Sequence, residues 1–193
     1  MIFIGKEEYK REVIRVALSK GEKPSCTYSP LVDVKSGEVW SIPVMPFSNV
    51  DGIGQEEAIL TIENNETRRN TVWKLFCVSF GQALISKLAK VKADRIGKGT
   101  AIYDDVTVNT STAIGVHCIL KTNVRIGMSC HIKDSCSIGE NSKVSGDVEI
   151  AERVNIGKEA IVAPGVKIGA WATIAPHTIV QNDVLPYSYL SDF

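Results

Sequence analysis

The sequence predicts a parallel β-helix of six-residue units carried behind a small α/β domain. Three observations predict it. An aliphatic residue recurs every sixth position over most of the second half of the chain. A small or β-branched residue recurs two positions before each aliphatic from Ile102 onward. The N-terminal part, 1–85, alternates short apolar runs with helical patterning.

Stepping six positions at a time from Ile96 gives Ile102, Val108, Ile114 and so on through Ile132 to Val180, and all 15 positions are Ile, Val or Leu. From Thr100 onward, the residue two positions earlier is Thr, Val, Cys, Ser or Ala in every unit. Glycine follows the aliphatic at Gly97, Gly115, Gly127, Gly139, Gly157 and Gly169. An amphipathic helix has a period of 3.6 and a lone strand a period of two, so a sustained period of six fits neither. It fits short flat walls, three to a coil, with the aliphatic filling the middle of each wall and the small residue at the corner. Positions i and i+18 then stack at strand spacing, and about five coils give a column roughly 24 Å tall. The register holds from 96 to 180, so no loop interrupts the column.

The N-terminal domain spans 1–85 in this reading, followed by a connector at 86–95, the column at 96–185 and a tail at 186–193. Ile2-Phe3-Ile4 reads as a strand. Glu7 to Lys20 reads as an amphipathic helix with Tyr9, Val13, Val16 and Ala17 on one face and Gly21 as its C-cap. Residues 22–57 are rich in turn formers and suggest strands only near Val39–Trp40 and Ile42–Val44. Ala58 to Ile62 reads as a buried strand and Glu66 to Phe76 as a helix. Such alternation implies a small α/β domain. The loop after the first strand has one glycine, Gly5, followed by Lys6, Glu7 and Glu8. Two acidic residues there would repel a phosphate, which argues against the usual glycine-rich phosphate loop.

Composition bounds the function classes. Lys+Arg and Asp+Glu are both 22 in a chain of 193 residues, so the net charge is zero. That argues against a nucleic-acid or anionic-membrane surface. The N-terminus lacks the charged and apolar regions of a signal peptide. The apolar run from Leu75 to Ile85 is too short to span a bilayer. Five cysteines without paired metal-type spacing suggest reduced thiols and a cytoplasmic protein.

A short α/β domain, a strand leading into Asn64-Asn65-Glu66-Thr67-Arg68-Arg69, and then the hexapeptide column form a distinctive series. It resembles the sugar O-acyltransferase family, which includes sialic acid O-acetyltransferases and bacterial UDP-amino-sugar N-acetyltransferases. The resemblance implies a left-handed β-helix working as a homotrimer, with active sites in the grooves between columns. It implies acetyl-CoA as co-substrate and a sugar or nucleotide sugar as acceptor. Gly5, Lys6, Asn64 and Asn65 fall where the family holds the nucleotide sugar.

The family's catalytic segment aligns without a gap on His117-Cys118-Ile119-Leu120-Lys121-Thr122, Gly127-Met128-Ser129-Cys130 and Ser145-Gly146-Asp147-Val148. The alignment puts Met128 where the family has its general-base histidine and Ser129 where it has the acidic partner. A second family histidine, near the acyl donor, falls on Ser137. Gly146 keeps the glycine whose amide faces the acyl carbonyl, and Pro164 and Lys167 fall on the acyl-CoA side. The family's Gly-x-Pro-Ala tail is replaced by Tyr187-Ser188-Tyr189-Leu190-Ser191-Asp192-Phe193. A thioether cannot act as a base. General-base catalysis contributes about 10²–10⁴-fold, so transfer without a substitute base is expected to be slow. Two functions stay open: an acyl-CoA-dependent O- or N-acetyltransferase, and a non-catalytic trimeric binding or assembly subunit of the same fold.

Each remaining candidate also has a plainer reading. His131 stacks on Glu149, one coil later, and could form a substitute base, or it is an exposed wall residue with a chance ion pair. His117 stacks with Ser135 and Arg153, and His177 with Glu159. No multiple of 18 relates the three histidines, which argues against a three-histidine zinc site, and no metal is expected. Cys118, Cys130 and Cys136 take the small corner position and read as packing residues. Lys158 and Lys167 could meet CoA phosphates or be solvated. Trp171 could contact a neighbouring column or the adenine of CoA.

Overall fold

The computed structural model describes residues 82–192 throughout and, before them, the backbone of five strands. These are β1 (Ile2–Gly5), β2 (Cys26–Ser29), β3 (Gly37–Val39), β4 (Ile42–Pro46) and β5 (Ala58–Thr61). They form one sheet in the order β3-β4-β2-β1-β5. All neighbours are parallel except the antiparallel β3–β4 pair. β2 is absent from the sequence reading, because Cys-Thr-Tyr-Ser is short, unalternating and bracketed by Pro24 and Pro30. The predicted helices at Glu7–Lys20 and Glu66–Phe76 lie outside the described residues.

From residue 84 onward the chain is a parallel β-solenoid of about six turns. Its two-residue strands fall into three walls. The first wall starts at Leu84–Ile85 and ends at Tyr189–Leu190, with seven strands. The second has six, from Lys90–Val91 to Ile179–Val180. The third has five, from Arg95–Ile96 to Lys167–Ile168, and is extended by a bridge from Ile168 to Val184. Within the repeat, partners are 18 apart, as in Arg125 with Lys143 and His131 with Glu149.

The column is longer than the repeat predicts. The stretch read as a connector contributes Lys90–Val91, and the tail contributes Tyr189–Leu190. Both end coils have shortened units. Leu84 pairs with Ala101 and Lys90 with Thr107, one residue short of 18. Thr173 pairs with Tyr189, two residues short. A step of six from Ile96 therefore lands on Lys90 rather than on the inward Val91.

The interior follows the pattern. Every aliphatic from Ile102 to Val180 is buried, as is every small residue from Thr100 to Thr178. The small residues also bond. Thr100 Oγ1 donates to Gly115 O at 2.8 Å and Ser142 Oγ to Gly157 O at 2.8 Å. Cys118, Cys130 and Cys136 place their thiols the same way, on Lys133 O, Ser145 O and Ala151 O at 3.0–3.1 Å. All three are buried free thiols, so Cys118 and Cys136 stack without a disulfide. Burial pushes the Cys130 thiol up from its ordinary value of 9.0, against the lowering effect of a backbone hydrogen bond from Val148.

Each corner from Gly99 to His177 is turned by a residue in the left-handed region. At the corner between the first and second walls, Asp105, Asn123 and Asn141 take this role with φ of 56–59°, as suits short polar side chains. Asn123 Nδ2 donates to Asn141 Oδ1 at 2.9 Å. At the corner between the third and first walls, Arg153, Trp171 and Tyr187 adopt the same conformation. There the bulky groups stack: the Arg153 guanidinium lies 4.6 Å over the Trp171 ring, whose centroid is 6.2 Å from that of Tyr187.

Candidate functional site

The coil-to-coil stacking turns the alignment positions into a place. Met128, Gly146 and Pro164 are successive rungs of one corner, between the second and third walls. Asp147 N donates to Met128 O at 2.9 Å, and Gly165 N to Gly146 O at 3.1 Å. Ser129 and Asp147 form the neighbouring rungs, both at positive φ. Met128 is 61% exposed and Pro164 is exposed. The corner is therefore an open ridge.

Two glycines on this ridge have different physical causes. A Cβ on Gly127 would sit 2.5 Å from Gly146 N, a backbone collision, so the column itself demands glycine there. A Cβ on Gly146 would meet Met128 O at 3.4 Å, an ordinary contact, and Gly146 has no positive φ. The fold does not require that glycine. The Gly146 amide donates to no acceptor among the described residues. An open ridge, a small side chain and an uncommitted N–H can polarise a carbonyl oxygen brought against it. Met128 supplies no proton acceptor of useful strength.

His131 and Lys167 lie on the third wall beside the ridge. They line a groove of about 550 Å³ with Lys133, Glu149, Gly169 and Asp183. His131 pairs in register with Glu149, but the carboxylate turns the other way, and Glu149 Oε1 lies 3.3 Å from Lys167 Nζ. The expected His131–Glu149 ion pair is not formed. The same contact gives Lys167 a carboxylate partner in place of a free ammonium. Asp183 was not singled out by the sequence; its Oδ1 accepts from Lys167 N at 2.8 Å.

Ser137 lies apart from these residues. It belongs to the first wall, in register with Ile119 and Asn155, and is 2% exposed. Ala101 and Ile119, the rungs before it on that outer face, are also buried. The structure thus brings together Met128, Ser129, Gly146 and Pro164, sets His131 and Lys167 beside them, and separates Ser137. Gly5 is at the end of β1, opposite Thr61. Lys6, Asn64 and Asn65 lie outside the described residues.

The histidines occupy three different parts of the column. His131 is on the third wall, His117 is buried at the corner between the third and first walls, and His177 stands at the corner between the first and second. His177 Nδ1 is 3.2 Å from Glu159 Oε2, as stacking one coil apart predicts. Among the described residues, no cluster of three or more His, Cys, Asp or Glu could hold a metal ion. Nor, among them, is any helix long and apolar enough to cross a membrane.

No family model matches the chain, and no curated protein sequence matches it. Solved structures do. A histidine-to-asparagine mutant of perosamine N-acetyltransferase from Caulobacter crescentus, in complex with CoA and GDP-perosamine, superposes with a TM-score of 0.84 at 24% identity, covering 97% of this chain and 91% of that one. The acetyltransferase domain of PglB from Neisseria gonorrhoeae FA1090, in complex with acetyl coenzyme A, gives 0.83 at 19% identity, over 95% and 92%. WeeI from Acinetobacter baumannii AYE gives 0.84 at 16%, over 98% and 95%. The chain shares its fold with these proteins over nearly its whole length.

Proposed function

We propose that the protein is an acyl-CoA-dependent acetyltransferase acting on a sugar or nucleotide sugar. The observation that carries this reading is Gly146: a glycine the column does not need, on an exposed ridge, with an amide bonded to nothing else among the described residues. The shared fold supports it, since two of the superposed structures hold CoA or acetyl-CoA and one of these also holds GDP-perosamine.

In this reading the coil is left-handed and the working unit a homotrimer. The donor lies along the Met128–Gly146–Pro164 ridge, in a groove completed by a neighbouring column, with Lys167 toward its phosphates; Ser137, buried on the first wall, takes no part. Gly5, Lys6, Asn64 and Asn65 hold the nucleotide part of the acceptor. The acceptor oxygen or nitrogen attacks the thioester carbon, the Gly146 amide holds the developing oxyanion, and the C–S bond breaks to release CoA thiolate. The acceptor proton leaves to water, to the substrate itself or to His131, because Met128 cannot take it. Ser129, without its own charge, replaces an acidic partner that has no histidine to orient. No metal takes part. Free buried thiols at Cys118, Cys130 and Cys136 fit the cytoplasm.

One observation favours a second reading. Met128 stands in the open, at the aligned base position, with no buried role that would explain a thioether there. A non-catalytic trimer retained for binding or assembly accounts for it. Turnover of acetyl-CoA with amino sugars separates the two. Release of thiol by the wild-type protein above the solvent rate supports the transferase. Binding of acetyl-CoA without release supports the non-catalytic subunit, and absence of both overturns the donor site.

A further inference from the structure

The last coil of a solenoid has no successor to take its hydrogen bonds, and such an end is an open sheet edge that a second chain can extend. Along the second wall, the first amide of each strand donates to a main-chain carbonyl of the following coil: Thr107 to Val124, Arg125 to Ser142, Lys143 to Ala160 and Ile161 to Thr178, at 2.9–3.0 Å. At Ile179 the acceptor changes to a side chain, Asp192 Oδ2 at 2.9 Å. The third wall repeats this. Ala113, His131 and Glu149 donate to Cys130 O, Val148 O and Val166 O. Lys167 donates instead to Asp183 Oδ1 at 2.8 Å. On the second wall the substitution occurs at the last strand, and on the third at Lys167–Ile168, beyond which Val184 alone continues the wall.

The chain gives up its six-residue spacing where it makes these contacts. After Val180 the next inward residue is Val184, bridged to Ile168, and then Leu190, packed on the core. The shortened path carries Asp183 back under the third wall and lets the tail return Asp192 under the second.

We propose that Asp183 and Asp192 are end caps that replace the two carbonyls a full further coil would supply to the second and third walls, and bar a second copy of this chain from adding a strand to those walls. A carboxylate at each site does two things. It satisfies the edge amide with a charge-assisted bond. It also occupies the place an incoming carbonyl would need and sets negative charge against another copy's capped end. The proposal does not depend on the acyl-transfer reading, because neither capped amide belongs to the Met128–Gly146 ridge.

The test uses the full chain with Asp183→Ala and Asp192→Ala combined, read by amide hydrogen exchange and by sedimentation over a range of concentrations. Exchange at Lys167 and Ile179 is expected to speed up about tenfold or more, while Glu149 and Ile161, one coil earlier, stay protected. Particle mass is expected to rise with concentration beyond that of the wild type. The pair Asp183→Asn and Asp192→Asn keeps an oxygen acceptor and is expected to restore most of the protection. Unchanged exchange at both amides overturns the caps. Faster exchange with no concentration-dependent growth overturns the block on a second copy. Should the alanine pair lose protection throughout, the asparagine pair decides: protection retained there supports the acceptor role, and protection lost there overturns it.

Discussion

The inside of the column and the ridge at Met128, Gly146 and Pro164 obey different rules. Inside, chemistry repeats at every sixth position, because each coil must present the next with the same shape: an aliphatic at mid-wall, a small residue at the corner, a carbonyl to receive its hydroxyl or thiol. On the ridge, three successive rungs carry a thioether, a bare backbone and a proline ring. Packing explains the first pattern and places no demand on the second. Where a regular scaffold is silent, an unusual residue points to a ligand or to a lost one.

The largest expected effect belongs to the ridge. Met128→His combined with Ser129→Glu restores a base and its orienting carboxylate, and thioester turnover with amino sugars is expected to rise about 10²–10⁴-fold. A wild-type rate already equal to the rescued one would remove the non-catalytic reading and give the proton another destination. Inside the column, Ile132→Ala is expected to cost about 2–5 kcal/mol by chemical denaturation. Lys143→Ala on the outer wall should change stability by under about 0.5 kcal/mol.

The two glycines sharpen the contrast. Gly127→Ala drives a methyl into the next coil's backbone and is expected to cost about 1–3 kcal/mol. Gly146→Ala is expected to leave the thermal midpoint nearly unchanged while weakening acetyl-CoA binding, as read by denaturation and calorimetry on the same sample. Equal destabilisation by both would erase the distinction between fold glycine and site glycine.

The smallest effect is the pH response of the interior. The folded-state pKa of Cys130 is raised by burial. Its stabilising contribution is therefore fully present below the unfolded value of 9.0 and is lost as pH rises past that value toward the folded one. The thermal midpoint should fall across that alkaline window. Cys130→Ser, which keeps a donor for Ser145 O and does not ionise there, should flatten the fall.

How much of this was legible in the sequence follows from the same contrast. The repeat from Ile96 to Val180 was readable because identical units give identical spacing. The first and last coils were hidden by single shortened units, between Val91 and Ile96 and between Val180 and Val184. β2 carries no alternation to read. The ridge was partly legible, because coil-to-coil stacking places Met128, Gly146 and Pro164 on one edge. The partners of Glu149 were not. Spacing puts it between His131 and Lys167, and only side-chain geometry shows that it turns to the lysine. Nor could periodicity show that the outer face around Ser137 is covered.

A calorimetric titration of the folded protein with acetyl-CoA tests the central claim most directly, because it asks for the donor without requiring a base. The account predicts saturable binding that weakens in Gly146→Ala at unchanged stability. No heat at millimolar acetyl-CoA, from protein shown to be folded, would contradict it.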